Sequence, residues 1–387
     1  MDIETHRDEI EAWLIVLRAP GIGASVVRSL IECHSTALAA LEALRRGDVP
    51  IDDNATRAWL KSPDRARIAE DIAWLASPDH HLVTMRDADF PPLLGETRGA
   101  PPALFIVGDP GACWLPQVAI VGSRSATQGG LANAQSFARA LSASGFAITS
   151  GLAEGIDAAA HSATLDAGGV TLAVLGTGPD LIYPAKHREL AQRIAVRGAL
   201  ISEFAPGMPG RPENFPRRNR IIAGLALGTL VVEAGLRSGS LITARCASDQ
   251  GRDVFAIPGS IHNPLARGCH RLIRDGAALV ETADEVVDGL GPVAERLGAH
   301  LRERLGHEGD ALAPASRERD ADYAKLTAAL GHEAIGIDRL VERTGLQAST
   351  LSSMLLVLEL EGDVVAERGG AYALSRTQTR SGRGVES

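Results

Sequence analysis

Three segments of the chain carry residue types that an anion-binding site requires: two combine glycine, hydroxyl and arginine, and one clusters arginines beside an aromatic ring. Gly122-Ser123-Arg124 follows the apolar run 118–121. The glycine lets backbone approach an anion, Ser123 offers a hydroxyl, Arg124 adds a charge, and the helix expected next supplies unpaired N–H groups. Asn214-Phe215-Pro216-Arg217-Arg218-Asn219-Arg220 places three arginines in four positions beside an aromatic ring. Backbone charge plus a stacking face is the combination that holds an unpaired nucleic-acid strand. Arg237-Ser238-Gly239-Ser240 opens a further helix as a second anion nest. Several phosphate-sized sites in series suit a polyanion better than a single nucleotide.

Other polar residues read differently. Glu154 and Asp157, after the glycine-rich turn Ser150-Gly151-Leu152, are read as first-turn acids offsetting the dipole of the next helix rather than as a catalytic pair. His161 follows on that helix, and Gly176-Thr177-Gly178 repeats the strand-end glycine signal ahead of Tyr183-Pro184. No lysine follows a glycine, which excludes a Walker A loop, and neither HExxH nor a Gly-x-Ser-x-Gly elbow with suitable partners occurs. No catalytic residue, cofactor or metal is expected. Cys33, Cys113, Cys246 and Cys269 are too far apart for a zinc knuckle or a redox dithiol.

The elements that must position these segments alternate regularly. Apolar runs at 118–121, 146–149, 170–175, 200–204, 229–232 and 254–257 read as strands apolar on both faces, and helices are expected between them at 156–167, 187–196, 219–226 and 241–250. The helix after the first run buries Leu131, Ala134, Phe137, Ala138 and Leu141 and stops at Gly145. The pattern predicts a doubly wound α/β fold with a parallel sheet closed by the 254–257 strand. Every anion-binding segment falls at a strand's carboxyl end, where ligands of such sheets bind. An additional short strand is expected at 103–107.

Flanking regions complete the organisation. Residues 1–76 read as a small helical domain with helices at 9–17, 25–33 and 65–76 and a Pro20-Gly21-Ile22-Gly23 turn; a sterile-alpha-motif-like cap suits its acidic surroundings better than a DNA-touching helix-hairpin-helix. Residues 77–290 are expected to form the α/β domain and 291–322 a charged linker. Residues 323–375 read as a winged helix, with helices at 323–330, 337–343 and 349–361 and a hairpin over 364–374, followed by a disordered tail at 376–387. The 347–361 helix holds no lysine or arginine, so this module is assigned to protein interaction or regulation rather than to the DNA groove.

Length and composition agree. The 387 residues are 45% hydrophobic and 22% charged, the balance of a globular protein of several domains. The net charge of −9 conceals a gradient: residues 1–90 hold 10 basic and 16 acidic side chains, whereas 210–275 hold 10 arginines and 5 acids. Lys61, Lys186 and Lys325 are the only lysines, so phosphate contacts fall to arginine, with its planar fork of donors. No uncharged stretch reaches the ~18 residues of a membrane span, and the acidic N-terminus does not read as a secretory signal, so a cytoplasmic protein with no membrane partner is expected.

The segments VAIVGSRSAT, SGLAEGIDAAAH, TLAVLGTGPDLIYP, NFPRRNRIIAGL, VVEAGLRSGSLITA, DVFAIPGSI and GCHRLIRDGA, in that order, resemble the DNA-processing protein A family (DprA, also called Smf) over residues 100–282. The resemblance implies an extended Rossmann-like domain with a mainly parallel sheet, in a homodimeric, non-enzymatic single-stranded-DNA-binding recombination mediator that protects incoming DNA and loads the RecA recombinase during natural transformation. It implies a DNA pocket at Gly122, Ser123, Arg124, Arg218, Asn219, Arg220 and Ser238-Gly239-Ser240, to which the residue reading adds Phe215, Arg217 and Arg237. It also implies pairing through the end of the domain, where Leu265, Leu272 and Ile273 form the expected dimer interface. His187 departs from the asparagine expected there. The rival reading is a nucleotide-binding phosphoribohydrolase of the lysine-decarboxylase-like group, whose Pro-Gly-Gly-x-Gly-Thr-x-x-Glu loop corresponds to 235–243 here, without its glutamate.

Overall fold

The structure is a computed structural model. It describes residues 6–51, 53–291, 293–294, 297–298, 300, 321–330, 335–346, 351, 355, 364–367 and 371–374. The chain divides into two units, Met1–Arg302 and Glu303–Ser387.

In the first unit, helices α1 (Arg7–Arg18), α2 (Ala24–His34), α3 (Ala37–Arg46), α4 (Asn54–Lys61) and α5 (Arg65–Leu75) pack around Trp13, Leu14, Ile15, Ile31 and Leu41. Thr36, Asp53 and Asp64 cap α3, α4 and α5 by accepting first-turn backbone N–H bonds. The same core takes in Leu82 and Phe105 of the adjoining strands, so the helices sit on one end of the sheet.

The sheet follows from β1 (His80–Thr84), β2 (Ala103–Gly108), β3 (Gln117–Val121), β4 (Ala147–Ser150), β5 (Thr171–Val174), β6 (Ala199–Ser202), β7 (Gly228–Val231), β8 (Asp253–Ala256) and β9 (Ala278–Leu279). Their order is β1-β2-β6-β5-β4-β3-β7-β8-β9. From β6 to β9 all pairings are parallel, while β1–β2 and β2–β6 are antiparallel. The expected mainly parallel, doubly wound sheet is therefore present, with two corrections. β1 adds an edge that its short His-His-Leu-Val-Thr run did not announce, and β9 extends the sheet beyond the 254–257 strand.

A short helix α6 (Pro92–Gly95) lies between β1 and β2 in the chain, and both faces of the sheet are covered. Val118 and Ile120 of β3 pack with Phe137, Ala138 and Leu141 of α7 (Gln128–Ala143) and Ile156 and Ala160 of α8 (Ile156–Asp166). Ala119 and Val121, one residue out of phase, pack with Ile221, Ile222 and Leu225 of α10 (Asn214–Leu225) and Ala244 of α11 (Ser240–Asp249). The two-residue period of a strand thus supplies two cores. Helix α9 (Arg188–Arg197) covers β5 and β6 through Ala191 and Ile194, α12 (Arg267–Arg274) lies beyond β8, and α13 (Ala283–Gly289) is closed by a Thr282–Glu285 capping box.

A third correction concerns α10. The expected start at 219 lies inside the helix, which begins at Asn214 and takes in Pro216. A proline is tolerated there because first-turn N–H groups have no helical acceptor. The arginine run is therefore on a helix rather than in a loop.

In the second unit, helices Ala321–Ala329 and Ile337–Thr344 accompany a small antiparallel sheet, in which Ile335–Gly336 pairs with Ala371–Leu374 and the latter with Val364–Glu367. Leu326, Leu340, Leu351, Leu355 and Val364 form its core. Most of the 349–361 helix, the Gly369-Gly370 turn, three quarters of the 291–322 linker and the 376–387 tail lie outside the described residues.

Candidate nucleic-acid interface

Strands β4, β5 and β6 lie on one side of β3, and β7, β8 and β9 on the other. Two neighbouring connections consequently leave the sheet in opposite directions, opening a crevice at the carboxyl ends of β3 and β7. An open trough of about 770 Å³ occupies that crevice.

The β3–α7 loop enters it with Gly122, Ser123 and Arg124. Ser123 is held by its own backbone, whose N–H donates to the Glu233 carbonyl at 2.7 Å and whose carbonyl accepts from Ile156 N at 3.2 Å. From the β7–α11 loop come Arg237, Ser238, Gly239 and Ser240. The two serine hydroxyls are 2.7 Å apart at the start of α11, where Ser240 N donates to Ser238 Oγ at 3.4 Å. Helix α10 supplies Phe215, Arg218 and Asn219. The Phe215 ring stands 5.4 Å from Tyr183 and 5.8 Å from the Arg124 guanidinium, and Tyr183, 56% exposed, offers a second aromatic face.

The arginine run divides by helical phase. Arg218 turns inward and is only 4% exposed. It donates to the Val174 carbonyl, while its Nε is buried without a partner. Burial pulls its pKa down to about 10, which leaves it charged at neutral pH. Gly151 makes this possible: a Cβ at that position would overlap the guanidinium. Arg217 and Arg220 turn away and do not line the trough. Both meet Glu203, whose side chain is 3% exposed, Arg217 through Nε at 3.1 Å and Arg220 through Nη2, and Arg220 also donates to the Gly99 carbonyl. Of the twelve residues expected at the site, ten line the trough and these two do not.

Asp157 is not a simple first-turn acid. It is buried on the trough floor and accepts from Gly151 N at 3.1 Å and Ala153 N at 3.3 Å. Burial raises its pKa, against the pull of Arg218. Glu154 instead pairs with Lys186 at 2.8 Å, which lowers its pKa. His187 is engaged through Nδ1 with the Leu152 carbonyl at 2.8 Å.

Glu233 was missed as a site-building residue. Its carboxylate accepts from Thr127 N at 2.9 Å, Thr127 Oγ1 at 2.7 Å and Asn263 Nδ2 at 3.2 Å, tying the start of α7 to the loop before α12. The available signal was its isolation, as the one charge in the apolar stretch 221–236.

Of the expected dimer residues, Leu265 lines the trough itself. Leu272 and Ile273 both pack, partly buried, against the core of their own unit, and Leu272 also lines a second cavity of about 900 Å³ beside β8 and β9. No group of residues suited to holding a metal ion occurs among the described residues.

Comparison with known proteins is consistent with this geometry. A family model described as DNA recombination-mediator protein A matches residues 81–291, and one described as DprA winged helix domain matches residues 310–370. Protein Smf of Escherichia coli (strain K12) is 42% identical over 313 residues, covering 81% of this chain and 82% of that protein. A putative DNA processing protein DprA of Mycobacterium tuberculosis is 35% identical over 379 residues, 94% of each. An X-ray structure of DNA processing protein A from Streptococcus pneumoniae matches with a TM-score of 0.65 at 35% identity, covering 72% of this chain and 97% of that one.

Proposed function

The chain belongs to the DNA recombination-mediator protein A family, and on that premise we propose that it binds single-stranded DNA in the trough between β3 and β7. It acts as a homodimer in the cytoplasm, protecting incoming strands and passing them to the RecA recombinase during natural transformation, without making or breaking a covalent bond itself. The observation that carries this reading is the convergence of Arg124, Phe215, Arg218 and the Ser238-Gly239-Ser240 helix start on one open trough. Cations and helix N-termini suit phosphates of any sequence. The exposed Tyr183 ring and the partly exposed Phe215 ring beside them suit unpaired bases, because the faces of bases in a duplex are already stacked on one another.

Against the hydrolase reading stands Glu233, the acid nearest to the 235–243 loop, whose carboxylate already bonds Thr127 and Asn263. No described helix is long and apolar enough to cross a membrane. The deciding experiment is a mobility-shift titration with matched single- and double-stranded oligonucleotides at several salt concentrations. Salt-sensitive retention of the single strand in preference to the duplex is expected. Equal retention of both, or release of free base from nucleoside monophosphates, would overturn the reading.

A further inference from the structure

Residues 203–213 join β6 to α10 without a helix or strand and lead directly into the first turn of α10. Their anchor is one buried carbonyl. Pro206 O accepts from Arg18 Nη2 at 2.7 Å and from Arg67 Nη2 at 2.7 Å, side chains 188 and 139 residues away in the N-terminal helices. A carbonyl has two lone pairs, and both here take charge-assisted bonds, the strong kind. Arg18 is held in turn by Asp71, with Nη2 2.7 Å from Oδ1 and Nε on Oδ2, and Arg67 is steadied by Glu70 at 2.7 Å.

The next residue secures the other side. Gly207 N donates to Asp180 Oδ1 at 2.7 Å, and Gly178 N donates to the Met208 carbonyl at 2.8 Å. Gly207 has φ +73°, and a Cβ there would overlap the Arg67 guanidinium, so the arginine lies directly on the turn. A few residues on, Asn214 opens α10 with its Nδ2 3.1 Å from the Gly176 carbonyl, and Phe215, Arg218 and Asn219 follow on the trough wall. Among the described residues, none from the N-terminal helices lines the trough.

We propose that Arg67 is a positioning residue for the nucleic-acid trough: from α5 it holds the Pro206-Gly207 turn and through it the start of α10. The N-terminal helices thereby take part in strand binding without touching the strand. The inference rests on the single-strand reading of the trough, and its test separates the two. Arg18 is the poorer probe, since its loss would strand Asp71, whose side chain is 1% exposed, without a counter-ion.

The test compares Arg67→Ala, Arg67→Lys and Arg124→Ala in the full chain, using a labelled oligothymidylate short enough for one trough. Arg67→Ala should bind about fivefold more weakly or worse, the low end of coupling between separate sites. Its slope of log affinity against log salt should match that of the unmodified protein, because Arg67 touches no phosphate. Arg67→Lys should recover part of the loss. Without DNA, amide hydrogen exchange in Arg67→Ala should quicken over residues 207–219 and not throughout the unit. Unchanged binding by Arg67→Ala while Arg124→Ala is weakened overturns the positioning role and leaves the trough reading standing. Unchanged binding by both overturns the trough reading and the inference with it. Exchange that quickens uniformly overturns the positioning role in favour of general stabilisation.

Discussion

The Arg124 guanidinium stands 5.8 Å from the centroid of the Phe215 ring, although one comes from the loop after β3 and the other from the first turn of α10. A full charge and an aromatic face thus share one wall of the trough, and their contributions to binding should be separable by salt.

Arg124→Ala should weaken single-strand binding and flatten the slope of log affinity against log salt by ~0.7, one phosphate contact on a single strand. Phe215→Ala should cost about 1–3 kcal/mol of binding, the range for one stacked base, and leave the slope unchanged. Anisotropy titrations across a salt series measure both. Identical slopes in the two variants would remove the distinction between charge and stacking.

Glu203 is expected to govern two cations. Arg220→Ala should cost ~3 kcal/mol of stability, the low end for breaking a buried pair, since Arg217 remains on the carboxylate. It should leave the salt slope intact. Glu203→Gln keeps the shape but frees Arg217, which is half exposed, and should steepen the slope by up to ~0.7. Thermal melts and salt titrations of the same preparations provide the check. A flattened slope in Arg220→Ala would place that side chain on the DNA after all.

His161 should make the protein acid-sensitive. Thr171 Oγ1 gives its one proton to the Ile148 carbonyl at 2.6 Å, so His161 Nδ1, 2.7 Å away, must be the donor between them. Nε2 is then a buried, unpartnered acceptor, and burial holds the pKa down to about 3. A depressed folded-state pKa gives full stability above the unfolded value of about 6.5 and a loss of about 1.4 kcal/mol per pH unit from there down to about 3. Denaturant melts from pH 7 to pH 4 should show that slope in the unmodified chain and a shallower one in His161→Phe. Parallel curves would exclude His161 as the source.

Leu265 and Leu272 should behave differently on substitution by glutamate. Leu272→Glu places a charge in the cavity beside β8 and β9 and should yield monomers that still bind short oligonucleotides. Long oligonucleotides should then lose the gain of two linked sites. Leu265→Glu puts a carboxylate into the trough and should weaken short-oligonucleotide binding whatever its oligomeric state. Sedimentation with two oligonucleotide lengths decides. A dimeric, folded Leu272→Glu would move the interface to another surface.

What the sequence determined by itself was periodic or local. Apolar runs such as Val118–Val121 alternating with amphipathic stretches such as α7 dictate a parallel sheet covered on both faces, because a strand buried on both sides has no polar phase to show. Glycine, serine and arginine at strand ends follow from the same alternation, which places them where helix N-termini gather. The tertiary structure alone decided which arginines serve the trough. Arg217, Arg218 and Arg220 are near neighbours in the chain, but a helix turns about 100° per residue, so one faces inward and two reach Glu203. It also decided that the Glu233 carboxylate ties Thr127 to Asn263 and that Arg67 reaches Pro206. Those contacts join residues far apart in the chain. No local pattern encodes them, because the partner of a buried charge is chosen by how the elements pack.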